Sequence, residues 1–173
     1  KKVSAQDLFF DLLKERAETG RIYIMNLDHC NSHSSFKDKV SMSNLCQEIT
    51  LPTTPIQDIH DEQGEIALCI LSAVNVGALN DLSELENICD LSVRALEQII
   101  DYQDYPVKAA EVSTKRRRSL GVGYIGLAHY LAKNGVKYSD PKAWELVDRL
   151  SEAFQYHLLR ASCNIAMEKG KCE

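Results

Sequence analysis

The run Ser43-Asn44-Leu45-Cys46-Gln47-Glu48 sets a thiol two residues from an amide and two residues from a carboxylate. In an extended chain, side chains alternate between faces, so Asn44, Cys46 and Glu48 would project together, with Leu45, Gln47 and Ile49 opposite. Such a set suits attack on a hydroxylated carbon: sulfur as reactant, carboxylate as acid/base, amide as orienter. A second thiol, Cys69, follows in Glu65-Ile66-Ala67-Leu68-Cys69-Ile70-Leu71, a nearly continuous apolar run that reads as a fully buried strand. The fold can bring that thiol close to Cys46.

Each of these residues also has an ordinary reading. A cysteine taken alone is more often a small buried hydrophobe than a reactant. Glu48 by itself reads as a solvated carboxylate, and Asn44 as a turn residue. His29, Cys30 and His33 have the look of a metal cluster, yet zinc sites normally need a second ligand pair at compatible spacing. Cys46 is the one nearby candidate and its chemistry excludes constant ligation, so no metal is assigned and the loop is read as site wall. Gly121-Val122-Gly123-Tyr124-Ile125-Gly126 spells G-x-G-x-x-G, but it follows Lys115-Arg116-Arg117-Arg118-Ser119 rather than a buried strand. Close backbone packing at a strand–helix junction is preferred over dinucleotide binding. The basic cluster is usually a solvated face; contact with phosphates or another subunit stays open.

The elements that must position these groups alternate. Ser4-Ala5-Gln6-Asp7 resembles a capping box ahead of Leu8, Phe9, Leu12 and Leu13, and Thr19-Gly20 stops that helix. Residues 21–27 have a strand pattern, 28–43 a polar loop, and 44–51 an extended run ended by Pro52 and Pro55. A buried strand over 66–71 precedes a long helix over 82–101 with Ser83-Glu84-Leu85-Glu86 as its capping box. Residues 102–119 read as a polar connection, 120–124 as a short strand or turn, and 125–133 as helix. Asp140-Pro141 opens a helix that runs to Lys169 and ends at Gly170. Strands alternating with helices define an α/β class with parallel pairing. Three or four strands cannot close a barrel by themselves.

A chain of 173 residues buries about 70% of its unfolded surface. A net charge of −5 argues against a general nucleic-acid surface, so no DNA partner is expected. No apolar stretch approaches the roughly 20 residues of a membrane span. Six cysteines at irregular spacings do not form a secreted disulfide framework, which points to a reducing cytoplasm. Cys89 and Cys163 fall on helical stripes and read as structural.

Beyond the six-residue run, further segments match one family in order: Thr19-Gly20-Arg21-Ile22-Tyr23-Ile24, Asp28-His29-Cys30-Asn31-Ser32-His33, Gly64-Glu65-Ile66-Ala67-Leu68-Cys69, Asp101-Tyr102-Gln103-Asp104-Tyr105-Pro106 and Arg117-Arg118-Ser119-Leu120-Gly121-Val122-Gly123. Nearly end to end, the chain resembles the large (alpha, catalytic) subunit of class I ribonucleoside-diphosphate reductases. The Asn-Leu-Cys-x-Glu form is more like class I than the cobalamin-dependent enzymes, which tend to carry Pro and Gly around that cysteine. The resemblance implies part of a ten-stranded α/β barrel. Residues 1–173 would be one segment of that barrel domain, with a loop at about 42–52 reaching into its centre and the N-terminal regulatory and C-terminal parts lacking.

By the same resemblance, Cys46 becomes a transient thiyl radical that abstracts the 3′ hydrogen of a ribose. Glu48 would be the base for the 3′ hydroxyl, and Ser43, Asn44 and Leu45 would touch substrate. Cys69 would be one of the two redox-active thiols that supply reducing equivalents, its partner lying upstream of Lys1. Tyr102 and Tyr105 do not match the radical-relay pair. No cofactor is implied in this segment: the radical comes from the metal cofactor of a beta subunit, and ATP/dATP-type effectors bind elsewhere. A second alpha subunit, thioredoxin or glutaredoxin, and a ribonucleoside diphosphate complete the implied partners. Three alternatives remain: an inactive fragment or split-enzyme half needing its complement, a small zinc module on His29, Cys30 and His33, and a nicotinamide-dependent dehydrogenase.

Overall fold

The computed structural model describes residues 2–172, which form two compact units, Lys1–Thr53 and Thr54–Glu173. In the first unit, helix α1 (Ala5–Thr19) starts where the Ser4 side chain accepts the Asp7 N–H. It ends at Gly20, whose φ of 64° lies in the left-handed region open to glycine. A short helix α2 (Leu27–Ser32) follows, so residues 21–26 are irregular and the strand expected over 21–27 does not form. Ile and Tyr there favour extension, but no neighbouring strand among the described residues supplies a ladder. The loop after α2 is held by Asn31, whose amide donates to the Val40 carbonyl and accepts the Val40 N–H, both at 2.8 Å. Val40 is fully buried.

The second unit carries the sheet. Strand β1 (Ile70–Asn75) pairs in parallel with β2 (Leu120–Ile125), Ile70 opposite Leu120 through Asn75 opposite Ile125. The expected strand over 66–71 is thus displaced along the chain, and residues 65–69 are irregular. Between the strands run α3 (Leu85–Tyr102) and α4 (Lys108–Arg117). The latter occupies what read as a polar connection, because its apolar residues are only Ala109, Ala110 and Val112, and its buried side also holds the polar Ser113 and Thr114. Helix α3 is capped by a box formed by Asp81 and Glu84 over a 3-10 turn, Leu82–Glu84, rather than by Ser83 and Glu86. Helices α5 (Leu127–Lys133) and α6 (Pro141–Lys169) complete the chain, the last with its expected cap, first proline and terminal Gly170.

Val74, Leu85, Cys89, Leu131, Leu150 and Phe154 form the main core, with Val122 and Tyr124 packed against it. Leu120 packs on a second cluster of Val93, Ala161 and Ile165. Helices α3 and α6 therefore cover the sheet face carrying Val74, Leu120, Val122 and Tyr124. Alternation puts Leu71, Ala73, Gly121, Gly123 and Ile125 on the other face. That face is open: Leu71 is 60% and Ile125 57% exposed.

The Asp140 side chain accepts the Lys142 N–H at 2.9 Å and starts the 29-residue α6. Asp140→Ala is expected to cost about 1 kcal/mol, and Asp140→Asn only a few tenths. Urea denaturation monitored by circular dichroism checks both.

Candidate functional site

Residues 44–49 form a tight loop rather than an extended run. The Asn44 carbonyl accepts the Gln47 N–H and the Asn44 N–H donates to the Ile49 carbonyl, both at 3.2 Å. Gln47 takes a φ of 62°, which an amide-bearing or small residue tolerates better than a branched one. Strand alternation therefore does not set the direction of Cys46. Asn44 organises the group instead: its Oδ1 accepts the Ile49 N–H at 3.1 Å and its Nδ2 donates to Glu48 Oε1. The amide and the carboxylate meet through a direct hydrogen bond, and Cys46 stands in the turn between them. Ser43 Oγ donates to the Asn44 carbonyl at 3.0 Å.

Cys46 and Glu48 are exposed, and Leu45 is 81% exposed. The described residues do not enclose the sulfur. Both ends of the Asn44 amide are spent on the loop itself, so its first physical role is to hold the turn.

Cys69 lies one residue before β1, half-buried, its sulfur 4.0 Å from the Ile70 carbonyl. Desolvation pushes its thiol pKa above the ordinary cysteine value, which favours the protonated thiol over the thiolate at neutral pH. A Cβ built on Gly121 would stand 3.1 Å from Cys69 Sγ, so the thiol belongs to the open sheet face. Cys89 is fully buried in the core, its pKa pushed up to about 11 by burial. Cys163 departs from its structural reading: it lies on the solvent side of α6.

The basic cluster is only partly a solvated face: Lys115 and Arg116 are exposed, while Arg117 and Arg118 turn inward onto carboxylates. Arg117 grips the buried Glu65 carboxylate with two hydrogen bonds of 2.9 Å, and Thr54 Oγ1 donates to the same group at 3.0 Å. Arg116 stands 3.5 Å from Glu65. Arg118 binds Glu97 at 2.7 Å and both Asp101 oxygens, and Lys115 reaches Glu111 at 2.8 Å. These pairs pin the segment leading into Cys69, and α3, to α4. The pairs of Arg117 and Arg118 escape a sequence reading because Glu65, Glu97 and Asp101 lie 17 to 52 residues away.

His33 Nδ1 lies 2.9 Å from Ser32 Oγ and 3.1 Å from the His29 carbonyl, contacts local to the end of α2. Among the described residues no three His, Cys, Asp or Glu side chains converge as a metal site. Within the glycine run, Gly126 takes a φ of 79° at the β2–α5 junction, where a Cβ would strike Asn75 Oδ1. Asn75 uses that oxygen to accept the Gly77 N–H at 3.1 Å. This is close backbone packing at a strand–helix junction, as the spacing predicted. No helix among the described residues is long and apolar enough to cross a membrane.

A parallel strand pair covered by helices on one face, with the other face, bearing a thiol, two glycines and the exposed Leu71 and Ile125, left open, is the arrangement of a wall segment in an α/β barrel, whose strands turn their free face inward. The family model for the ribonucleotide reductase barrel domain matches residues 1–173, and the chain belongs to that family. It is 56% identical over 175 residues to the ribonucleoside-diphosphate reductase subunit alpha of Buchnera aphidicola subsp. Schizaphis graminum. It is 57% identical over 174 residues to that of Haemophilus influenzae, and 53% identical to ribonucleoside-diphosphate reductase 1 subunit alpha of Escherichia coli. Each comparison covers 99% of this chain and 23% of the relative, so the chain spans about a quarter of their length.

Proposed function

We propose that these residues carry the radical and reducing chemistry of a ribonucleoside-diphosphate reductase alpha subunit, an oxidoreductase that makes deoxyribonucleotides for DNA synthesis. The observation that carries this reading is the Asn44–Glu48 hydrogen bond across a turn whose middle residue is Cys46. A thiol on the same constrained loop as an oriented carboxylate supplies the two groups that hydrogen abstraction next to a hydroxyl requires.

The Cys46 sulfur, as a thiyl radical, takes the 3′ hydrogen atom from ribose and becomes a thiol. The Glu48 carboxylate accepts the 3′ hydroxyl proton, which eases departure of the neighbouring 2′ hydroxyl as water. Cys69 and a second cysteine of the subunit become a disulfide, one of their two hydrogens leaving as the proton that completes the water and the other going to C2′. The C2′–O bond is replaced by C2′–H, the 3′ hydrogen returns from Cys46 to carbon, and the 3′ oxygen recovers its proton from Glu48. A ribose and two thiols thus yield a deoxyribose, water and a disulfide, and the Cys46 radical is regenerated. The half-buried, protonated state of Cys69 supports its role as hydrogen donor.

The initial oxidising equivalent comes from the metal cofactor of a partner beta subunit, and no cofactor is assigned to this segment. Enclosure of Cys46 is assigned to the remaining three-quarters of a family-length chain. A second alpha subunit, and thioredoxin or glutaredoxin to re-reduce the disulfide, complete the assembly in the cytoplasm.

The test is reconstitution. A family-length subunit bearing these residues, mixed with a beta subunit, a dithiol reductant and a ribonucleoside diphosphate, is expected to release the 2′-deoxy product. Retention of the 2′ hydroxyl in every product overturns the reading.

A further inference from the structure

We infer that Gly121 is a positioning residue for Cys69: the side chain it lacks leaves the space in which the Cys69 sulfur sits. This rests on the reductive role assigned above to Cys69 and goes beyond it.

Three observations converge. Gly121 lies directly opposite Leu71 in the parallel register, and Cys69, one residue before β1, places its sulfur over Gly121. A Cβ at position 121 would stand 2.6 Å from Leu71 Cδ2 and 3.1 Å from Cys69 Sγ. Both are inside the roughly 3.5–4.0 Å of ordinary non-bonded contact. Gly121 takes no left-handed φ, so backbone conformation does not demand glycine there. What demands it is the space above the backbone.

The two obstacles differ in kind. Leu71 is 60% exposed and its terminal methyl can swing outward. The sulfur has one freely rotating bond, so a methyl at 121 shifts it by some tenths of an ångström or drives it into another rotamer. Sulfur–sulfur bonding tolerates little of either, since the S–S length and the dihedral of about 90° are narrowly fixed. When Cys69 and its partner thiol each release a hydrogen and join, the Cys69 sulfur must already lie on the partner's line of approach. Gly123, two residues further along the same strand, has no atom within 4 Å of its would-be Cβ and supplies the internal comparison.

The experiment uses a family-length subunit assembled with a beta subunit and assayed with a dithiol reductant. Gly121→Ala is expected to lower kcat at least tenfold with KM for the ribonucleotide unchanged. A fold-wide defect would not separate the two constants in this way. Thermal melting adds a geometric readout. Gly121→Ala is expected to lower Tm more in the native background than in Cys69→Ala, where no sulfur meets the methyl. Gly123→Ala is expected to show the same Tm shift in both backgrounds. If Gly121→Ala alone folds poorly, Leu71→Ala is added, which removes the nearer obstacle; folding is expected to recover while kcat stays depressed.

A kcat within twofold of the native enzyme overturns the inference. So does an equal Tm loss with and without the sulfur, or full recovery of kcat on adding Leu71→Ala. Turnover that survives Cys69→Ser overturns the role of Cys69 itself and the inference with it. That failure is distinct, because the sulfur-dependent Tm shift would persist.

Discussion

Glu48→Gln is expected to lower deoxyribonucleotide formation by about 10²–10⁴-fold while substrate binding survives. The amide oxygen of glutamine can still accept the hydrogen bond that Asn44 now gives to Glu48, so the loop carrying Cys46 keeps its turn. What is lost is the ability to take the proton of the 3′ hydroxyl. Turnover and equilibrium binding of the ribonucleoside diphosphate, measured on the same preparation, separate the two effects. Turnover within threefold of the native enzyme would remove Glu48 from the chemistry. Asn44→Ala would be less informative, since it breaks the contacts to both Glu48 and Ile49 and displaces the whole group.

The second large effect lies in the clamp beneath the strand. Arg117→Met leaves the buried Glu65 carboxylate without its main partner, and breaking such a pair costs about 3–5 kcal/mol. Arg116 at 3.5 Å and Thr54 at 3.0 Å remain, which sets the expected loss near the lower limit, about 3 kcal/mol. The pH dependence carries a sign. The Arg117 guanidinium holds the Glu65 carboxyl below the usual carboxylate range, despite the opposing effect of burial. In the native protein this contribution is fully present above the unfolded value, about 4.5, and is lost as pH falls through the lower folded value. Without Arg117 the largest lowering influence is gone, and the folded value moves up from its native position. The deficit of Arg117→Met is therefore largest near neutral pH and shrinks in acid. Urea denaturation of both proteins between pH 4 and 7 measures it, and a deficit independent of pH would contradict the clamp.

The long helix α6 was legible because its signals are local: Asp140, Pro141 and Gly170 are read within one turn of where they act. Helix α1 was legible for the same reason. Strand β2 and the junction at Gly126 were also readable, while the exact start of β1 was not. A run of apolar residues from Ile66 to Leu71 fits a strand anywhere along it, and the partner fixes the register. The expected strand over 21–27 and the extended form of 44–51 fail on that ground, since neither finds a ladder among the described residues.

Cys46, Glu48 and Asn44 were identified by type and spacing, but the reason they assemble was not. Alternation along a strand suggested it; a side-chain hydrogen bond across a turn joins Asn44 to Glu48 instead, with Cys46 in the same turn. Arg116, Arg117 and Arg118 looked like a surface because their counter-charges Glu65, Glu97 and Asp101 are distant in sequence. The vacancy at Gly121 was invisible for a related reason. A missing side chain has meaning only once the register shows whose atoms fill the space.

The most direct measurement is deoxyribonucleotide formation by Cys46→Ser in a family-length subunit assembled with its radical-generating partner. Serine keeps the shape of the turn, but an alcohol O–H bond is far harder to break homolytically than a thiol S–H, so oxygen cannot take the place of the sulfur radical. No product above background, with the ribonucleoside diphosphate still bound, is the expected result. Product at an appreciable fraction of the native rate would mean that another atom abstracts the hydrogen, and that residues 43–48 only shape the site.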